Sequence, residues 1–233
     1  NTSCQPFFIY RSIGPMDFDR FMLQMQSAAK FYELLRRLQS IDGHMLDLQC
    51  FALKILAEQG PASGVIVELG SFKGKSTVCL ALGTKAAGRE PVYAIDHFQG
   101  SPEHQEGQPN EDPLIVADGT TYHEFLRNIS EQGVREHVVP ISSTSAAAAR
   151  RWDKPVRLLF IDADHSYESS RADFEAWAPH VVTGGLVLFH DIGTWEGVTR
   201  FYNELVTTDP TYCPRMDIAG MAILEKLASD ALA

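Results

Sequence analysis

From residue 64 onward the chain alternates short apolar runs with stretches of helical periodicity. Gly64–Leu69 (GVIVEL), Val92–Ile95, Val138–Ile141, Val156–Ile161 (VRLLFI) and Gly185–His190 (GLVLFH) are apolar along nearly their whole length and read as strands. Lys75–Ala87, Thr121–Gln132, the alanine-rich Ser145–Arg151, Ser169–Ala178 and Glu196–Val206 read as helices, and Met221–Glu225 as a last strand candidate. A strand with no polar face must be covered on both sides, and helices between successive strands are parallel crossovers. The pattern predicts an α/β fold, a doubly wound and mostly parallel sheet with helices on both faces. In such sheets ligands bind beyond the carboxyl ends of the strands, so those positions are the ones to read for chemistry.

Two parts fall outside this rhythm. Residues 1–60 form a largely helical lead-in, with apolar residues at helical spacing over Met45–Glu58. We divide the chain into an N-terminal helical extension or cap over 1–45 and a main domain over 46–228. A helical arm outside the sheet needs something to cover its apolar stripe, so a homodimer is expected. Residues 99–120 (QGSPEHQEGQPNEDPLIVADGT) are rich in Gly, Pro and acids and read as a long loop, either a functional lid or a mobile segment.

Bulk properties narrow the classes. A chain of 233 residues holds one sizeable α/β core. Its net charge of −10 argues against a nucleic-acid substrate and gives no attraction to an anionic membrane. The longest apolar runs are of strand length, too short to span a bilayer. Four cysteines, Cys4, Cys50, Cys79 and Cys213, show no CxxC spacing, so a reducing cytoplasm is the expected compartment. The N-terminus lacks the basic-then-apolar pattern of a signal peptide and starts without Met, as a trimmed chain or an excised module would.

The stretch VIVELGSFKGKST, residues 65–77, ends like a phosphate-binding loop. A P-loop needs four residues between its glycines, whereas Gly70 and Gly74 enclose three, and Glu68 at the strand end would repel a polyphosphate. The dinucleotide pattern GxGxxG fails at its middle glycine, which is Phe72. A cofactor without phosphates is a third reading. S-adenosylmethionine (SAM) carries a cationic sulfonium and an amino group that suit an acid here, and the glycines let the backbone come close. An ordinary strand–turn–helix is the alternative.

Glu68-Leu-Gly70-Ser-Phe-Lys-Gly74 resembles motif I of the class I SAM-dependent methyltransferases. The resemblance implies a Rossmann-like sheet of seven strands and SAM contacts from Glu68, Gly70, Ser71, Phe72, Gly74 and Ser76. Asp96, 26 residues beyond Gly70, ends the second strand, where the family carries the acid that accepts the ribose hydroxyls; His97 follows it. Ser143 and Thr144 after the third strand are implied at the adenine edge, with helix capping as the rival role.

The fourth strand ends in Ile161-Asp162-Ala-Asp164-His165 and the fifth in Phe189-His190-Asp191. Asp162, His190 and Asp191 offer two carboxylates and an imidazole, a set that can hold a divalent cation such as Mg²⁺ with positions left for substrate. The pairing resembles the metal-assisted small-molecule O-methyltransferases of the catechol and caffeoyl-CoA types. Those carry Asp-Asn where this chain has His190-Asp191, and a Lys base where it has His165. The Asp162–Glu168 stretch looks most like a bacterial branch that modifies sugars and natural products, and the Ile41-Asp42-Gly43 turn also resembles that branch. The resemblance spans about residues 40–226. It implies O-methyl transfer from SAM to a small-molecule hydroxyl, with Asp162 and His165 catalytic, Asp162 also touching cofactor, and a cation on Asp162, His190 and Asp191. A metal-free transfer to an amine or carboxylate and a non-catalytic adenosyl-binding protein are the alternatives. His97 and His104 fall near the lid, His44 near the Asp42 turn, and Phe98, Trp195 and Tyr202 can form an aromatic wall. Asp164 can instead cap the following helix.

Overall fold

The computed structural model describes residues 18–228. Residues 1–17 of the expected cap, with Cys4, lie outside the described residues. One seven-stranded sheet organises the chain, in the order β3-β2-β1-β4-β5-β7-β6. Its strands are β1 (Val65–Leu69), β2 (Val92–Asp96), β3 (Val138–Ser142), β4 (Val156–Ile161), β5 (Val181–Phe189), β6 (Tyr212–Ile218) and β7 (Met221–Lys226). Neighbours from β3 through β5 are parallel, and β7 runs antiparallel to both β5 and β6.

Side chains alternate across this sheet, apart from an irregularity between Val156 and Leu158 at the start of β4. Ile66, Leu158, Phe160 and Leu188 enter one core with Cys50 and Leu53 of α2 (Asp47–Gln59), Val78 and Leu80 of α3 (Lys75–Ala87) and Phe125 of α5 (Tyr122–Glu131). Val67, Leu69, Leu159 and Phe189 enter the other with Phe174 and Trp177 of α7 (Tyr167–Trp177) and Val198 and Phe201 of α8 (Glu196–Thr208). The helices on both faces are those the periodicity predicts.

Three elements differ from the sequence reading. Strand β6 escapes it because it is an edge strand with a largely polar, exposed sequence and a proline, Pro214. The 99–120 segment holds more structure than a loop: a 3₁₀ turn at Pro102–His104 and the short helix α4 (Pro113–Asp118), capped by Asp112. Strand β5 starts at Val181 rather than 185 and runs through Gly184 and Gly185. In the extension, α1 (Phe18–Leu38) buries only its C-terminal part, through Leu34 and Leu38, and Phe31 packs edge-on to Phe51 at 5.3 Å. Its first half exposes Phe21, Met22, Leu23 and Met25.

Strand order reverses between β1 and its neighbours β2 and β4, and the chain opens a crevice there. Gly70, just past β1, has φ +83°, and a Cβ on it would lie 2.0 Å from the carbonyl oxygen of Asp162. Only glycine lets the ends of β1 and β4 approach this closely.

Candidate active site

The crevice is a cleft of about 830 Å³ at the carboxyl ends of the strands, within the range of ligand pockets. Gly70, Ser71, Phe72 and Ser76 line it from the first turn, Asp96 and His97 from the second strand end, Ser143 and Thr144 from the third. Asp162, His165, His190 and Asp191 line its far side, so the residues singled out after five different strands share one cavity.

Two of the expected cofactor residues stand behind the wall. Glu68 is fully buried and does not line the cavity. Its Oε2 accepts from the hydroxyls of Ser71, at 2.8 Å, and Thr77, while Oε1 has no partner. Burial pushes its carboxyl up to about 7, against the hydroxyls of Thr77, Ser76 and Ser71. Glu68 shapes the turn from below. Gly74, at φ +89°, opens α3, and a Cβ there would press on the Phe125 ring at 3.0 Å. Its role is conformational.

Asp96 is the organiser of the turn. Its Oδ2 accepts from the backbone N–H groups of Ser71 and Phe72, both at 2.8 Å, and Oδ1 from Phe98 N at 2.6 Å. A carboxylate has about four lone-pair sites. Three are spent on backbone, so Asp96 has room for one ligand hydroxyl rather than two. His97 lies beside it, its Nδ1 accepting from Gln99 N at 3.0 Å. Thr144 caps α6 (Ser145–Ala149) by accepting from Ala147 N at 3.3 Å, and the Ser143 hydroxyl donates to Thr144 O at 3.1 Å. Both keep cavity exposure.

The far side is a chain of acids and imidazoles. His190 is almost fully buried. Its Nδ1 is 2.9 Å from Asp162 Oδ1 and 3.3 Å from Asp191 Oδ2, and its Nε2 is 3.0 Å from Gln49 Oε1. The Gln49 amide orientation is fixed independently: Oε1 also accepts from Leu46 N at 2.9 Å, and Nε2 donates to Ala219 O at 2.9 Å. Gln49 therefore presents an acceptor to His190, and Asp162 presents another. Both ring nitrogens donate, which makes His190 an imidazolium. Burial alone would push its pKa down; the Asp162 and Asp191 carboxylates outweigh this and hold it at about 10. In this arrangement both ring nitrogens of His190 are engaged, Nδ1 by Asp162 and Nε2 by Gln49.

His165 lies between carboxylates from two segments. Its Nε2 is 3.1 Å from Asp191 Oδ2, its Nδ1 is 3.1 Å from Glu103 Oε1, and its ring stacks on Trp195 at 4.9 Å, within 9° of parallel. Burial lowers its pKa, but Asp191, Asp162 and Glu103 together raise it above its ordinary value. Burial alone would raise the Asp191 carboxyl; the imidazoles of His165 and His190 instead hold it well below the carboxylate range. Asp191 itself has φ +62°. Backbone in the left-handed region at a strand end aims a side chain at a cost that the surroundings must hold in place. Asp162, His165 and Asp191 each offer one ligand atom, all within 4.8 Å of one another.

The remaining candidates separate. Trp195 faces the cavity, whereas Phe98 is core against Tyr122 and Phe125, and Tyr202 packs beside Phe189. Asp164 accepts from Ser166 N at 2.7 Å, and Ser166, not Asp164, caps α7. His44 and His104 come together with Phe72 at the cavity edge. Gln49 and Glu103 escaped the sequence reading. For Gln49 a signal existed: a polar residue on the buried i, i+4, i+8 stripe it shares with Leu53 and Ala57. Glu103 carried none, being one acid among several in its segment.

The fold recurs among known proteins. The family model described as a methyltransferase domain matches residues 67–192. An uncharacterized protein, y4gI, of Sinorhizobium fredii (strain NBRC 101917 / NGR234) is 30% identical over 173 residues, 72% of this chain. This chain spans 18% of that relative's length. Among solved structures, the O-methyltransferase NovP superposes with a TM-score of 0.66 at 17% identity, over 80% of this chain and 84% of that one. An O-methyltransferase from Bacillus cereus in complex with SAH superposes with a TM-score of 0.56 at 17% identity, over 92% and 94%. The family match spans more than half of the chain and contains the glycine turn, Asp96 and the Asp162–Asp191 cluster, and the chain belongs to the methyltransferase-domain family.

Proposed function

We propose that this protein transfers the methyl group of SAM to a hydroxyl of a small molecule, with His165 receiving the proton. One observation carries the reading: the glycine turn anchored by Asp96 and the His165–Asp191 pair open into the same cleft. The cleft has volume for a cofactor and a modest second ligand.

Methyl transfer from a sulfonium is an in-line displacement: the acceptor oxygen bonds to the methyl carbon, the sulfur leaves with the electron pair, and the hydroxyl proton goes to a base. The turn at Gly70–Ser76 and the one open site on Asp96 hold the adenosyl end. His165 is held by Asp191, which accepts from Nε2–H and sits at a buried strand end. That leaves Nδ1 as the proton acceptor, at the place where Glu103 now lies. Trp195, stacked on the imidazole, fixes the ring plane and offers an apolar wall to the acceptor. Since the raised pKa keeps the imidazole protonated in mild acid, the rate should rise with pH through a midpoint above 6.5.

A second reading is favoured by the donor set itself. Asp162, His165 and Asp191 fit a divalent cation; two carboxylate oxygens with one imidazole nitrogen suit a transition ion at least as well as Mg²⁺. Bound there, the ion would lower the pKa of an acceptor hydroxyl. This reading replaces His190 of the expected ligand set by His165 and competes with the base role for that ring.

Mass spectrometry of products from a panel of hydroxyl-bearing acceptors, with SAM, tests both. Activity that survives EDTA and falls about 10²- to 10⁴-fold in H165Q supports the base. Activity abolished by EDTA and restored by Mn²⁺ or Mg²⁺ supports the cation. No methylated product from any acceptor, with no SAM binding by calorimetry, rejects both. The exposed apolar half of α1 supports the expected homodimer, to be read as the mass in light scattering. Among the described residues no helix is long and apolar enough to cross a membrane.

A further inference from the structure

The glycine turn carries a buried cation that the proposed reaction leaves without a task. Lys73 is 6% exposed. Its ammonium lies 2.7 Å from Asp42 Oδ2, 2.5 Å from Asp112 Oδ2 and 4.8 Å from the centre of the Phe72 ring. Asp42 belongs to the turn between α1 and α2 and is well exposed, whereas Asp112 is 5% exposed. The exposed pair contributes little and the buried one a great deal if either partner is removed.

Asp112 is also wired into its own segment. Its Oδ1 caps α4 by accepting from Leu114 N at 3.0 Å and Ile115 N at 3.3 Å. Two backbone bonds then fold the segment back on itself, Asp112 N to His104 O at 3.0 Å and Asn110 N to Glu103 O at 3.2 Å. This places Glu103 against His165 and stacks His104 on Phe72 at 4.9 Å, with His44 beside both. From Lys73 to His165 the connection is continuous: ammonium, Asp112, two backbone bonds, Glu103, imidazole.

We infer that Lys73 is a positioning residue that clamps residues 102–118 and the Asp42 turn onto the cofactor turn and so sets Glu103 on His165. The same turn that would bind cofactor thus fixes where the lid rests. The consequence for the reaction rests on the methyltransferase reading; the clamp itself does not.

Hydrogen–deuterium exchange of the full chain, together with diethyl pyrocarbonate modification of each histidine followed by mass spectrometry, tests it in K73M and D112N. D112N removes the lid's carboxylate from Lys73 while keeping an amide oxygen to cap α4. Both variants should speed exchange over 99–118 about tenfold and expose His165 to modification by a similar factor, while β1 and α3 keep wild-type protection. Wild-type exchange over 99–118, or wild-type reactivity of His165, in D112N overturns the inference. If K73M also loosens β1 and α3, D112N decides alone. SAH titrated into the wild type by calorimetry separates the two levels: failure to bind rejects the methyltransferase reading and leaves the clamp result standing.

Discussion

At the scale of single residues, the site is organised by which carboxylates are spent and which are free. Asp96 spends three of its lone-pair sites on backbone N–H groups, Asp162 and Asp191 face imidazoles, and Glu68 is sealed beneath the turn. Glu68 makes a pH prediction of definite sign. Its folded carboxyl, at about 7, lies above the ordinary 4.5. Between those values the native state binds more proton than the unfolded one, so this group's contribution is full below 4.5 and is lost as pH rises through 7. At most about 3 kcal/mol is at stake, at 1.36 kcal/mol per unit. E68Q, neutral at all pH, should flatten stability between pH 5 and 7 in urea titrations; an unchanged slope would show that the carboxyl is ionised in the fold.

At the scale of elements, the strands other than β6 were legible because they are largely apolar and face two cores. Glu68 shows where that reading stopped short: it shares the face of Ile66 and so points under α3, although its place at the strand end suggested the crevice. The short helix α4 was hidden by the Pro, Gly and acids around it, and β6 by its polar edge. Gln49 and Glu103 reach their histidines across 141 and 62 residues of chain, contacts that no local pattern encodes. Arg157 is another such contact. Buried in β4, it donates to Ala57 O at 2.6 Å and Leu56 O at 3.3 Å and pairs with Glu90, so it closes the last turn of α2 onto the sheet. R157M leaves the Ala57 carbonyl without that partner, while Leu56 O keeps Gly60 N at 2.8 Å, and should cost about 3 kcal/mol in urea denaturation, with E90Q costing less because Glu90 reaches solvent. Equal losses would mean the ion pair, not the helix end, is what Arg157 serves.

At the scale of the whole molecule, charge and topology select the ligand together. The chain carries a net −10, and its cleft sits where strand order reverses, a place that in many α/β proteins receives a polyphosphate. Here Phe72 stands where a dinucleotide loop needs glycine, Lys73 is neutralised by Asp42 and Asp112, and Lys75 donates to Gly43 O at 3.1 Å. The glycine turn therefore offers a phosphate only Lys75, one of whose three donors is already spent on Gly43 O, while acids line the cleft walls. A cationic adenosyl ligand should bind and ATP should not. A ligand that binds only the native state stabilises it by about 2.7 kcal/mol at a hundred times its Kd. For a chain of this size each kcal/mol shifts Tm by about 2–4 °C. SAM or SAH at that excess should raise Tm by about 5–10 °C in a thermal melt, and ATP at the same concentration by none. The converse, a rise with ATP and none with SAM, would return the glycine turn to phosphate chemistry and remove the physical basis for methyl transfer in this cleft.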